Sequence, residues 1–210
     1  MKKNCTEVVF VLDRSGSMCG LEKDTIGGFN SLINKQKKQD GEVLVSTVLF
    51  NDSSVVIHDR KPIDEVRLMT NKDYEVYGCT ALLDALGSSI RHIGNIHKYA
   101  RVEDVPEHTM FVIITDGMEN ASRYYSKERV KSMIEYEKEK YGWEFLFLAA
   151  NMDAIDTASQ YGIDKDHAVN YQCDSVGTRL NYEVLDEAIQ CICSGVPLSK
   201  SWKSKIEKCK

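Results

Sequence analysis

Apolar residues along the chain fall into two rhythms. Val8–Leu12, Met110–Ile114 and Phe145–Ala150 are apolar at almost every position, the pattern of parallel strands buried on both faces. Val43–Phe50 and Val55–Ile57 are separated by the short polar turn Asn51-Asp52-Ser53-Ser54, which predicts an antiparallel hairpin. Ala168–Tyr171 is a fainter sixth strand. Between these runs the period lengthens to that of a helix. Ile26, Phe29, Leu32 and Ile33 form one stripe, and Leu82, Leu86, Ile90 and Ile93 a second. Val130, Met133 and Ile134 mark a third, and Ala154, Ile155, Ala158 and Tyr161 a short fourth. Val184, Leu185, Ala188, Ile189 and Ile192 mark a closing helix. Strands alternating with helices predict a doubly wound α/β fold: a mostly parallel sheet, one antiparallel strand, and helices on both faces.

Composition narrows the setting. The chain has 210 residues, 42% of them hydrophobic, and a net charge of −5. That length buries a full core, and the acidic balance argues against a nucleic-acid or membrane-surface partner, since either favours a basic face. Seven cysteines, at positions 5, 19, 79, 173, 191, 193 and 209, are odd in number and irregular in spacing. They match no zinc or thioredoxin pattern and are expected to be reduced thiols in a cytoplasmic protein. The first apolar run is too short for a secretory signal, and no run approaches a membrane span. The Asn-x-Ser/Thr matches at Asn4, Asn51 and Asn120 are then coincidental.

In a doubly wound sheet, ligands bind at the carboxyl ends of strands where the winding reverses. Three segments belong there: Asp13-Arg14-Ser15-Gly16-Ser17 after the first strand, Thr115-Asp116-Gly117 after Met110–Ile114, and Gly78-Cys79-Thr80 before the second helix. Ser15 and Ser17 lie two apart in an extended turn, so both hydroxyls can face one point. Asp13 and Asp116 supply carboxylates from separate loops, and Thr80 a third hydroxyl. Two carboxylates and three hydroxyls form an oxygen-only set suited to a hard divalent cation, magnesium best. Two carboxylates just neutralise a dication, which stays electrophilic towards a carboxylate from outside. Taken singly, Asp13, Ser15 and Ser17 are also ordinary turn and cap residues; the combination is what points to metal.

The segments VVFVLDRSGSM, GCTALLDAL and FVIITDGMEN resemble, in order and context, the three parts of the metal-ion-dependent adhesion site of the von Willebrand factor type A domain. The resemblance runs from about Thr6 to Cys193. It implies a Rossmann-like fold holding Mg2+ or Mn2+ at Asp13, Ser15, Ser17, Thr80 and Asp116, with an Asp or Glu of a protein partner completing the coordination. It also implies an adhesion or assembly module, which for intracellular relatives often sits in a multi-protein complex beside an ATPase. Cys79 departs from the small residue usual before the threonine, and Cys19 follows the serine loop, so both thiols belong near the metal or fill tight loops.

Glu119 and Asn120 are read as capping or surface residues, and Asp84 as a carboxylate favoured by its helix dipole. His58, His92, His97, His108 and His167 are scattered and carry no catalytic expectation. The rival reading is a Mg2+-dependent phosphoesterase using Asp13. It lacks the second aspartate usual two positions later, where Ser15 stands, and Arg14 should point to the opposite side of the strand end. No catalytic residue is assigned. The expected organisation is one domain over 1–193, then a lysine-rich tail or short helix over 194–210, with solvation as the tail's default.

Overall fold

The computed structural model describes residues 1–196 and 198–208. Its elements run β1 (Lys2–Asp13), α1 (Glu22–Gln36), β2 (Glu42–Phe50), β3 (Ser54–Pro62), α2 (Leu82–Tyr99), β4 (Pro106–Thr115), α3 (Lys127–Tyr141), β5 (Glu144–Ala149), α4 (Ala154–Gln160), β6 (Ala168–Asn170), α5 (Ser175–Cys193) and α6 (Ser204–Lys208). They build one six-stranded sheet in the order β3-β2-β1-β4-β5-β6. The pairings are parallel except that of β3, which folds back on β2 as an antiparallel edge strand. This is the α/β arrangement that the alternation predicts.

The period of two along the central strands divides the core. Val8, Phe10 and Leu12 of β1, with Met110, Val112 and Ile114 of β4, face α1 and α5. Val9, Val11, Phe111 and Ile113 face α2, α3 and α4 on the other side. Every one of these side chains is almost fully buried, which explains why the strands read as unbroken apolar runs rather than as alternations.

β1 begins earlier than its apolar run because its first residues are polar. Glu7 is wholly buried there, between the Arg60 guanidinium at 2.7 Å and His97 Nε2 at 2.6 Å. Arg60, 53 residues away, offsets its charge, and His97, 90 residues away, adds a hydrogen-bond contact to the same carboxylate.

The segment after α5 differs from the solvated tail expected of its lysines. Residues 200–203 form a 3-10 turn leading into α6, and Trp202 and Ile206 join the core. The Trp202 indole donates to Asp166 O at 2.9 Å, and Lys203 Nζ to the Lys165 and Ala168 carbonyls at 2.8 Å. An amphipathic aromatic with a carbonyl to reach overrides the lysine-rich composition.

The chain winds outward from β1 through β2 to β3, then returns to the other side of β1 with β4. The carboxyl ends of β1 and β4 therefore flank the reversal of winding, where an α/β sheet opens a crevice.

Candidate metal centre

Asp13 is the last residue of β1, and Asp116 follows the last residue of β4. Both carboxylates are almost completely buried. The serine loop turns through a short 3-10 segment at Gly16–Met18. Its Gly16 N–H donates to Gly78 O at 3.0 Å, which joins the serine loop to the Thr80 loop. The side chains then form one continuous chain of contacts. Asp13 Oδ1 accepts from Ser15 N at 2.7 Å, and Thr80 Oγ1 donates to Ser15 Oγ at 3.0 Å. Ser15 Oγ and Ser17 Oγ are 3.1 Å apart, and Ser17 Oγ donates to Asp116 Oδ1 at 2.6 Å. All five residues singled out in the sequence are thus brought together.

Gly117 shows that the hydroxyls converge on one point. A Cβ placed on it would lie 2.7 Å from Thr80 Oγ1, 3.0 Å from Ser17 Oγ and 3.5 Å from Ser15 Oγ. Three oxygens share a small space that a methyl group would fill and that suits a cation.

The electrostatics point the same way. Burial pushes the Asp13 carboxyl up to about 6; hydrogen bonds from Thr115 and Ser15 oppose the rise, and the Asp116 charge adds to it. Among the described residues neither Asp13 nor Asp116 takes part in an ion pair. Two buried carboxylates side by side are costly without a counter-charge, and a divalent cation would provide it. No group of three or more His, Cys, Asp or Glu able to hold a metal occurs among the described residues; the candidate set is two carboxylates and three hydroxyls.

No family model and no curated protein matches the sequence. Solved structures match it in shape. The von Willebrand factor domain of the type V pili tip protein Mfa5 from Porphyromonas gingivalis superposes with a TM-score of 0.66 at 11% identity, over 92% of this chain and 97% of that one. Proximal thread matrix protein 1 of the mussel byssus, solved with a zinc-occupied adhesion-site motif, gives 0.60 at 15% identity, over 92% of this chain and 47% of that one. The chain has the von Willebrand factor type A fold. The ArnB paralog VWA2 from Sulfolobus acidocaldarius shares it, with a TM-score of 0.56 at 17% identity over 88% of this chain. The chain spans 42% of the type A protein of Catenulispora acidiphila and 45% of the Sulfolobus protein, so such neighbours carry further parts.

In this type A fold the loops around the site hold one another. Gly78 adopts φ +79°, and its missing Cβ leaves room for the Asp52 carboxylate, which accepts from Cys79 N at 3.1 Å. Asn51 closes the same turn, donating to Tyr77 O at 3.1 Å and accepting from Ala81 N at 2.8 Å. Thr80 is clamped by Asn120, whose Oδ1 accepts from Thr80 N at 2.9 Å while its own N–H donates to Thr80 O at 3.0 Å. Glu119 accepts from Leu83 N at 2.9 Å and so caps α2 from another loop. Asp84 does more than favour its helix dipole: it accepts from the backbone N–H groups of Arg123, Tyr124 and Tyr125, each at 2.8 Å. Arg14 rests over the Tyr77 ring at 5.5 Å, and its Nε has no hydrogen-bond partner.

The sequence reading missed four neighbours. Thr115 Oγ1 donates to Asp13 Oδ2 at 2.6 Å, and the buried Tyr74 hydroxyl donates to Asp13 O. Asn151 Nδ2 donates to Asp116 O at 3.4 Å, and the Cys173 thiol to Asp116 Oδ2 at 3.4 Å. Cys173, not Cys19 or Cys79, is therefore the thiol against a site carboxylate; those two are exposed. Asn151 and Cys173 follow β5 and β6, so the strand-end rule that found Asp13 and Asp116 also points to them.

Proposed function

We propose that the chain is a metal-dependent protein-interaction module: Asp13, Ser15, Ser17, Thr80 and Asp116 hold one Mg2+ or Mn2+, and an Asp or Glu of a protein partner completes its coordination. The observation that carries this reading is the convergence of three hydroxyls on one point beside Gly117, with the buried Asp13 and Asp116 carboxylates hydrogen-bonded to the same serine loop. The zinc-occupied site of the mussel protein supports a divalent ion on this fold. Hydroxyls bring no charge, so the bound dication keeps its attraction for an outside carboxylate. The partner is a protein, not nucleic acid or membrane, in keeping with the net acidic charge.

The six described cysteines are free, which supports a reducing, cytoplasmic setting. Among the described residues no helix is long and apolar enough to cross a membrane. Residues 1–193 are read as one domain, against which Trp202 and Ile206 of the following segment pack, and assembly with an ATPase-containing complex fits such a module. We read the chain as a binder rather than an enzyme. Ser15 stands where such a phosphoesterase carries its second aspartate, which disfavours that enzyme.

Affinity capture from cell extract, with magnesium or with a chelator, tests the proposal. A protein retained only with magnesium, and lost by Asp13→Ala, is the expected result. Capture indifferent to chelation counts against the metal bridge. Magnesium-dependent release of phosphate from simple phosphoesters, abolished by Asp13→Ala, would replace it with the enzyme.

A further inference from the structure

The two helices beside the site leave a groove between them that starts at the metal end of the sheet. Its upper part is an open recess of about 730 Å³ whose lining includes Asp52, Ala121, Arg123, Tyr124 and Arg91. Asp52 and Ala121 also bind the Thr80 loop, through Cys79 N and Thr80 O, so this recess adjoins the candidate centre. The groove continues downward between Arg91, Asn95 and Lys98 of α2 and Arg129, Tyr136 and Tyr141 of α3. On α2 the lining residues recur at helical spacing, one per turn.

Cations and aromatic rings alternate along this path. The Arg129 guanidinium lies 4.9 Å from the Tyr125 ring centre. Lys140 Nζ lies 4.9 and 5.0 Å from those of Tyr136 and Tyr141, and Lys98 Nζ 5.2 Å from that of Tyr99. Three acids share the lining, Asp52, Asp84 and Glu137. Asp84 and Asp52 accept backbone N–H groups, and burial raises the Glu137 carboxyl. Glu135 of α3 lies off the groove, beside Gly162 and Lys131. A chain whose net charge is −5 thus gathers four cations, Arg91, Lys98, Arg123 and Arg129, along one groove beside the centre, with Lys140 set against two of its rings.

We propose that this groove receives an extended acidic segment of the protein partner, continuing downward from the carboxylate that reaches the metal. The upper end of this inference rests on the metal reading; the groove itself does not. From Asp84 to Lys98 the groove is about 21 Å long at helical rise, room for about six or seven extended residues. An acidic peptide fits better than a single-stranded nucleic acid because rings covered by cations offer fewer free faces for base stacking.

The test uses fluorescence anisotropy of a labelled peptide of about twelve residues in which Glu alternates with Ser, titrated with the full chain. The peptide is expected to bind in magnesium and to weaken as salt rises. The double variant Arg91→Glu/Arg129→Glu should lose about tenfold or more in affinity while keeping the wild-type melting response to magnesium, which also shows that it folds. Asp13→Asn should lose only the magnesium-dependent share of binding. If the double variant binds as the wild type does, the groove proposal fails and the metal reading is untouched. If the double variant loses binding but neither chelation nor Asp13→Asn changes it, the groove stands and the metal bridge to the partner fails. A twelve-nucleotide thymidine strand that outcompetes the peptide would overturn the choice of partner.

Discussion

Gly117 decides whether three hydroxyls can share one ligand. Its carbonyl also accepts from Thr115 Oγ1 at 3.1 Å, so its backbone is tied to the residue that holds Asp13. Replacing it with alanine forces Thr80 and Ser17 to rotate away from a Cβ at 2.7 and 3.0 Å. Turning hydroxyls costs little stability but removes two donors. Gly117→Ala should therefore melt within about 1 kcal/mol of the wild type yet bind magnesium about tenfold more weakly or worse, as read by calorimetric titration. Asp13 gives the same site a pH dependence. Burial pushes its carboxyl up to about 6, above the ordinary 3.8. The native state then holds more proton than the unfolded chain between these values, so metal-free stability falls as pH rises through that window. Metal needs the ionised form, so its affinity must rise over the same window. Magnesium binding should weaken about tenfold per pH unit below 6 and level off above it. A flat profile between pH 5 and 7 in a calorimetric series would show that Asp13 does not meet the metal.

At the scale of elements, the start of α2 is where the loops meet. Glu119 caps its first turn, while Asp84 within that turn holds the loop leading to α3. Removing the Asp84 carboxylate leaves three backbone N–H groups without their acceptor. Asp84→Ala should cost about 2–3 kcal/mol in urea denaturation, far more than loss of a dipole-favoured surface charge. Strands and helices were readable because their apolar positions carry the period of each element. β1 shows where that signal stops. Its first half is polar, and Glu7 is tolerated only through Arg60 and His97, which no local window can place beside it. The convergence of the candidate residues was readable for a similar reason. Asp13, the two serines, Thr80 and Asp116 each stand beside a strand or helix boundary visible in the apolar pattern. Thr115 escaped because it reads as the end of its strand, and Tyr74 because it lies in a long segment with no period. Asn151 and Cys173 obey the same rule as the aspartates and were overlooked through their weaker association with cations.

For the whole molecule, the final segment matters more than its lysines suggest. Trp202 is buried and hydrogen-bonded to the turn before β6, so the last described residues brace that edge of the sheet. Trp202→Ala should cost about 3 kcal/mol, with an earlier urea midpoint and an unchanged magnesium response; a change below about 0.5 kcal/mol would mean that the segment is solvated in solution. Net charge is also a poor guide at this scale. The acidic total of the chain includes two carboxylates that face inward at the candidate centre, while four cations line one groove. The central claim remains that the convergent oxygens beside Gly117 hold a divalent cation. Its most direct test is the melting temperature of the wild type and of Asp13→Ala across a magnesium titration. At magnesium about a hundredfold above its Kd, the wild type should gain about 5 °C or more, and the variant should gain nothing. An equal gain in both proteins, or none in the wild type, would contradict the assignment.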